Sequence, residues 1–78
     1  MNYSELVAYM VKSLVDHPEQ VEIREIEGEK STILELKVTK EDIGKVIGKH
    51  GRIARAIRTI INASATKTGK RVVLEILD

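Results

Sequence analysis

The middle of the chain carries the stretch Val46-Ile47-Gly48-Lys49-His50-Gly51-Arg52-Ile53. Apolar residues at helical spacing occupy both flanks, from Asp42 to Ile47 and from Arg52 to Thr66. The two glycines therefore predict a tight turn between two helices. Glycine suits such a turn because it tolerates unusual backbone angles and has no side chain to keep a ligand at a distance.

The predicted turn has the features of a phosphate-binding site. The amino end of a helix presents unpaired N–H groups, which bind phosphate well, and Lys49 and Arg52 add positive charge at the same place. Residues 40–78 hold nine basic and four acidic residues, a net charge of +5, against four basic and eight acidic residues, a net charge of −4, in residues 1–39. This asymmetry favours a polyanionic partner. An ordinary mixed surface with an uneven spread is the alternative.

Composition restricts the class of protein. With 78 residues, of which 42% are hydrophobic and 3% aromatic, the chain is predicted to form one domain over residues 1–78 with an aliphatic core. The absence of cysteine excludes disulfides and thiolate metal sites. We find no run of about 18 apolar residues and no basic-then-apolar leader. We therefore expect a soluble, cytoplasmic protein without a membrane partner.

Hydrophobic periodicity predicts an α+β fold with the order α-β-β-α-α-β. We expect a three-stranded mixed sheet with three helices on one face, in which the hairpin pair is antiparallel and the second and third strands are parallel if adjacent. The predicted segments are a first helix ended by Asp16-His17-Pro18, strands at about 21–27 and 31–39, a short helix to residue 47, a long helix at about 52–68 and a strand at 71–77.

Local signals add detail to these segments. Ser4 is predicted to cap the first helix, and Thr39 the short helix, with Asp42 three positions on as a weak capping box. Ile26 breaks the strand alternation and predicts an irregularity there. The short helix is predicted to leave Lys45 outside and to bury Ile43, Val46 and Ile47.

The apolar arc of the long helix spans about 200°, roughly twice the stripe that one packing surface needs. This width predicts that the helix packs on its own sheet and on a second surface as well. Two candidates stay open for that surface, the first helix of the same chain and a partner subunit.

No catalytic constellation is found in the sequence. Residues 44–50 differ from a nucleotide-binding P-loop in length, and no Ser or Thr follows the lysine. His17 and His50 lie 33 positions apart without cysteine, which argues against zinc. Asp42 near His50 has no nucleophile to complete a triad. We therefore predict a non-enzymatic protein without cofactor, metal or small-molecule substrate.

Residues 46–51 resemble the V-I-G-x-x-G core of the KH domain, an RNA-binding module. The order of elements matches the type II arrangement over the whole chain. The stretch from Gly44 to Thr59 is similar to the short bacterial single-KH proteins of the KhpA family. One position departs from the pattern, since many KH domains have a large aliphatic residue where this chain has Ala54, with Ile53 one step earlier.

The resemblance implies a bacterial cytoplasmic protein that binds single-stranded RNA. It also implies a homodimer, or a heterodimer with the larger multidomain KH protein KhpB (Jag), and a link to post-transcriptional regulation, cell elongation and division. Gly48 and Gly51 would let the RNA backbone approach, and Lys49 and His50 would face it. Ile43 and Ile47 would floor a groove for the bases, flanked by Lys45, Arg52 and Arg55.

Several alternatives stay open at this point. The isoleucines fit plain core packing as well as groove contact, and His50 fits a solvated turn residue as well as a phosphate donor. An interaction adaptor with a KH-like fold is the main functional alternative to RNA binding. A helix-hairpin-helix DNA binder is a third candidate, although it has no need of strands.

Overall fold

The computed structural model describes residues 2–78 and has the predicted order of helices and strands. The elements are α1 (Tyr3–Lys12), β1 (Glu22–Glu27), β2 (Ser31–Lys37), α2 (Ile43–Ile47), α3 (Arg52–Ala65) and β3 (Arg71–Leu77). Strand β2 is central, and it pairs antiparallel with β1 and parallel with β3. The predicted α+β class and both predicted strand pairings are confirmed.

The core lies between one face of the sheet and the helices. Leu34 and Leu36 of the central strand are fully buried, and the alternating residues Ile33, Glu35 and Lys37 face the other side. Every helix contributes to the same cluster, so the helices cover a single face, as a two-layer fold requires. The helical core residues are Val7 and Val11 from α1, Val46 from α2, and Ile57, Ile61 and Ala65 from α3.

Helix α1 begins and ends earlier than predicted. Asn2, not Ser4, caps it, because its side-chain oxygen accepts the N–H of Glu5 at 2.8 Å. The helix ends at Lys12. Beyond that point the hydroxyl of Ser13 bonds back to the carbonyl of Tyr9 and competes with helical bonding. Residues 16–18 therefore belong to the connection between α1 and β1.

Two strand and helix details also differ from expectation. Ile26 pairs with Ile33 in a regular register, so the predicted irregularity is absent from β1 (Glu22–Glu27) and the side chain is simply half-exposed on the open face. Helix α3 ends at Ala65 and not at 68. The hydroxyls of Thr66 and Thr68 bond to carbonyls three residues back, which closes the helix with a tighter turn.

Arg58 connects α3 to the edge of the sheet. Its guanidinium donates two hydrogen bonds, of 3.3 and 3.1 Å, to the carbonyl oxygen of Leu74 in β3. The bond fixes the long helix along the outer strand. Within residues 2–78, none of the helices is both long and apolar enough to span a bilayer.

Candidate nucleic-acid interface

The stretch that follows α2 forms a tight turn with left-handed backbone. Gly48 (φ 77°, ψ 171°), His50 (φ 58°, ψ 24°) and Gly51 (φ 73°, ψ 15°) all have positive φ. The N–H of Gly51 donates to the carbonyl of Gly48 at 3.1 Å, and Arg52 begins α3 directly afterwards. The two glycines thus reverse the chain between two helices, as their spacing predicts.

The two glycines have different surroundings. A Cβ on Gly48 would lie 2.6 Å from Cγ1 of Ile53, so the side chain of Ile53 fills the space that a larger residue would need. A Cβ on Gly51 would meet only the guanidinium of Arg55, at 4.0 Å. Gly48 is therefore required for packing between α2 and α3, while Gly51 is the glycine beside open space.

Ile53 also accounts for the departure at Ala54. Ala54 is buried, with 3% of its surface exposed, so a small residue fills this position in the core. Ile53 is partly buried over Gly48 and packs against the core cluster. The aliphatic contact at the start of α3 is thus made one position earlier.

His50 is held by Arg55. It is the only residue other than glycine with positive φ among those described, and histidine is one of the residue types enriched in that region. The guanidinium of Arg55 donates to the carbonyl oxygen of His50 at 3.3 Å. Arg55 therefore supports the turn from the second turn of α3, and the His50 ring stays exposed.

The amino end of α3 is open and positively charged. No side chain caps it, and its first turn contains no acidic residue. Lys49 and Arg52 are exposed beside it, and the ion pairs found within residues 2–78 involve neither of them. The N–H of Arg52 donates to the carbonyl of Lys49, but the helix dipole and the two cations still favour an anion at this end of α3.

The isoleucines of α2 divide between core and surface. Val46 is fully buried, Ile43 is partly buried, and 38% of Ile47 is exposed. The predicted burial of Ile47 is therefore wrong, because α2 is too short to be covered on all sides. Ile43 and Ile47 are four residues apart and lie on the same side of the helix, so they offer an apolar strip beside the turn.

The structure does not place Lys45 beside Lys49 and Arg52. It lies about half a turn around α2 from Ile43 and Ile47, at about 100° per residue. Its ammonium donates to Asp16 at 2.6 Å and lies 4.0 Å from Asp42. The hydrogen bond to Asp16 raises the pKa of Lys45 above its ordinary value.

Asp42, directly before α2, is a buried carboxylate, and the sequence did not predict its burial. Asp42 is fully buried and accepts the backbone N–H groups of Asp16 at 3.2 Å and His17 at 2.9 Å. It also contacts Nδ1 of His17 at 3.1 Å. The predicted capping box is wrong, because Thr39 makes no capping bond and Asp42 turns back toward the end of α1. The signal available in the sequence was that Asp42 stands four positions before Val46, on the side of the helix that is buried.

The Asp42–His17 contact shifts both pKa values. Burial acts to raise the pKa of Asp42, but the N–H groups of Asp16 and His17 and the His17 ring outweigh it, so the pKa is lowered. The hydrogen bond to Asp42 raises the pKa of His17, against the effect of desolvation, and Glu19 and Glu41 add smaller contributions. Across residues 2–78 we find no group of three side chains placed to hold a metal ion.

Comparisons with known proteins identify relatives over nearly the full chain. The family model "KhpA/KhpB, KH domain" matches residues 4–76. The chain is 61% identical to a protein of Borreliella burgdorferi named RNA-binding protein KhpA, over 99% of this chain and 94% of that protein. It is 62% identical to the Clostridium perfringens protein of the same name (94% and 97% covered) and 55% identical to that of Aquifex aeolicus (95% and 94%).

Solved structures show the same fold in a larger protein. The chain superposes on Era in complex with MgGDPNP and nucleotides 1506–1542 of 16S ribosomal RNA, with a TM-score of 0.62 and 17% identity. Aquifex aeolicus Era bound to GDP and aluminium fluoride gives a TM-score of 0.61 and 17% identity. This chain is 95% covered in both cases and spans only 28% and 29% of those chains. At this identity the likeness concerns the fold alone.

The two glycines are predicted to tolerate substitution differently. Gly51→Ala should cost about 1–2 kcal/mol, the penalty for a left-handed alanine. Gly48→Ala should cost about 2–6 kcal/mol, because about 1–3 kcal/mol of backbone strain adds to about 1–3 kcal/mol of overpacking against Ile53. Urea denaturation of the two variants measures the difference. Equal losses would show that the contact between Gly48 and Ile53 relaxes freely.

The stability of the fold is predicted to depend on pH through His17. Its folded-state pKa lies above the ordinary 6.5, so the charged ring stabilises the fold below 6.5 and this contribution is lost as pH rises through the folded value. The lowered pKa of Asp42 contributes above its ordinary 3.8 and is lost as pH falls through the folded value.

We therefore expect the melting temperature to be lower at about pH 8 than at about pH 5.5. His17→Gln should flatten this decline, while His50→Gln, at the exposed histidine, should leave it as in the wild type. A decline of the same size in the His17 variant would assign the effect to other groups.

Proposed function

Because the chain belongs to the family of KhpA/KhpB KH domains, we propose that it is an RNA-binding protein that grips single-stranded RNA at the turn Gly48–Gly51. The observation that carries the proposal is the amino end of α3 (Arg52–Ala65) beside Gly51: no side chain caps it, and Lys49 and Arg52 are exposed there without an ion-pair partner among residues 2–78. The names of the relatives support RNA as the polyanion.

Each residue of the site has a distinct role in the proposal. Lys49 and Arg52 meet phosphates, and Gly51 lets the RNA backbone come close. Arg55 holds His50 in its left-handed conformation, and Gly48 sets the angle between the helices. Ile43 and Ile47 form the apolar strip on which bases lie, and Lys45 reaches RNA only if a phosphate replaces Asp16 as its partner.

The family resemblance extends the proposal to a role of the protein in the cell. It acts as a single KH domain in the bacterial cytoplasm, without enzymatic activity, as a post-transcriptional regulator or RNA chaperone linked to cell elongation and division. With about two to four phosphate contacts, affinity should fall with salt at a slope near 0.7 per contact. Such a weak site gains from pairing with a second one, because linkage raises the effective concentration.

The surface of α3 supports pairing with a second KH protein. Ile57 and Ile61 are in the core, but 46% of Ile60 is exposed, and Ala56 and Ala63 are exposed on the same side. Helix α1 therefore leaves this half of the apolar arc uncovered. We propose that it is the contact surface of a homodimer, or of a heterodimer with a larger KhpB/Jag-type protein. The adaptor function is the second candidate, and the same surface favours it.

The RNA grip is tested with a pair of variants at Gly51. Asp and Asn have the same shape and both tolerate left-handed φ, so Gly51→Asp adds a negative charge that Gly51→Asn lacks. We expect the Asp variant to lose about tenfold or more in affinity, since a charged hydrogen-bonding site becomes repulsive. The Asn variant should lose much less. Fluorescence anisotropy with a labelled single-stranded RNA at two salt concentrations measures this.

Circular dichroism of both variants serves as the control for folding. If folded Asp and Asn variants bind RNA equally well, the basic second half acts as a general polyanion surface and the turn is not the grip. If the wild type binds no RNA, the adaptor function takes precedence.

The dimer surface is tested at Ile60. Its half-exposed side chain permits Ile60→Asp with little effect on the monomer fold, while the charge should prevent apolar association. We expect sedimentation equilibrium to show a dimer for the wild type and a monomer for this variant. Tyr9→Asp, at an exposed position of α1, is the matched control and should remain dimeric. A monomeric wild type at concentrations above those used for RNA binding would contradict the homodimer.

A further inference from the structure

Asp42 is the only charged side chain that is buried among the residues described, and no part of it is exposed. A buried carboxylate is costly unless its oxygens are hydrogen-bonded. The chain keeps this costly group directly before α2 (Ile43–Ile47), the helix that leads into the turn. Its position directly before α2 points to a role in the orientation of that helix.

The carboxylate is held from two elements. The α1–β1 connection supplies the N–H groups of Asp16 and His17 and the ring of His17. Helix α2 supplies Lys45, which lies 4.0 Å from Asp42 and 2.6 Å from the side chain of Asp16. The four residues Asp16, His17, Asp42 and Lys45 thus form a closed cluster, which we call the Asp42 cluster.

The cluster acts on a very short helix. The five residues of α2 span about 7.5 Å at 1.5 Å per residue. Its first turn is fixed by the Asp42 cluster and its inner side by the fully buried Val46. Gly48 follows at once, so a rotation or tilt of α2 is transmitted to the turn.

We propose that Asp42 is a positioning residue for the turn Gly48–Gly51, and that it holds α2 against the α1–β1 connection in the orientation that RNA binding requires. The RNA part of this inference rests on the proposed function. The effect on the turn in the free protein does not, and the two parts can therefore be tested separately.

Positioning and simple charge predict opposite effects on RNA affinity. Loss of a negative charge near a basic surface strengthens its attraction to a polyanion. Asp42→Asn removes this negative charge. Its side-chain NH₂ group is a donor and cannot accept from the surrounding N–H groups, so the Asp42 cluster loses hydrogen bonds and loosens. Weaker RNA binding by a folded protein that has become more positive is therefore a result that a change of charge alone does not explain.

The experiment compares Asp42→Asn with Glu41→Gln. Glu41 is the exposed neighbour, makes none of the cluster's hydrogen bonds, and loses the same charge. Two quantities are measured: affinity for a labelled single-stranded RNA, and hydrogen exchange of the amides of residues 48–52 relative to those of β2 (Ser31–Lys37) in the free protein. We expect Asp42→Asn to lose about fivefold or more in affinity, the usual size of coupling between sites. In this variant the amides of residues 48–52 should exchange faster, relative to those of β2, than they do in the wild type.

Glu41→Gln should bind RNA as tightly as the wild type or more tightly, with unchanged exchange. Should Asp42→Asn not fold, His17→Gln takes its place, because the partly exposed His17 leaves the carboxylate its two backbone donors. In that variant the turn amides should also exchange faster, to a smaller extent, and this exchange is the decisive measurement because the substitution removes a side chain that is positively charged when protonated.

The outcomes separate the two proposals. If the wild type binds RNA and folded Asp42→Asn binds it equally well, or if the turn amides of the Asp42 or His17 variant exchange no faster, relative to those of β2, than in the wild type, Asp42 is not a positioning residue. If the wild type binds no RNA but the turn loosens in the Asp42 or His17 variant alone, the positioning role stands and the RNA function fails.

Discussion

The contact between Gly48 and Ile53 is the constraint that determines the geometry of the turn. Gly48, the first residue after α2, lies so close to the start of α3 that a methyl group on it would overlap the side chain of Ile53 at 2.6 Å. Gly48 follows α2 directly and Ile53 lies in the first turn of α3, so the chain turns between the two helices within residues 48–51, where His50 and Gly51 adopt left-handed backbone. The amino end of α3 that follows this turn has no side-chain cap, and its helix dipole favours an anion.

The basic residues of the second half form one group in the sequence, but in the structure their side chains make different contacts. Arg58 is committed to the carbonyl of Leu74, Arg55 to the carbonyl of His50, and Lys45 to the carboxylate of Asp16. These three hold parts of the fold together. Lys49 and Arg52 are exposed at the turn and, among the described residues, their side chains make neither an ion pair nor a hydrogen bond. The positive net charge of residues 40–78 thus overstates the charge that is free to meet a ligand.

The sequence predicted those parts of the fold that depend on local patterns. Period-two and period-3.6 spacing placed every helix and strand, because each has one apolar side, and the glycine spacing located the turn. Helix ends were predicted less well, since Asn2 and Ser13 act through side-chain bonds that compete with equally plausible ones at Ser4 and Thr39. The partner of Lys45 and the contacts of Asp42 join positions 25 to 29 residues apart, and no local pattern reports such distances.

Asp42 also gives a physical reason for the helix and strand that precede the turn. The α1–β1 connection supplies backbone N–H donors to Asp42, the carboxylate directly before α2. The first half of the chain therefore helps to hold α2, which belongs to the second half. An apolar residue at position 42 would bury well, but dispersion contacts have little directionality, whereas hydrogen bonds from two successive N–H groups fix an orientation. A helix of only five residues has few contacts of its own to define its tilt. For such a helix, directional bonds to a buried charge provide the orientation that packing alone leaves loose.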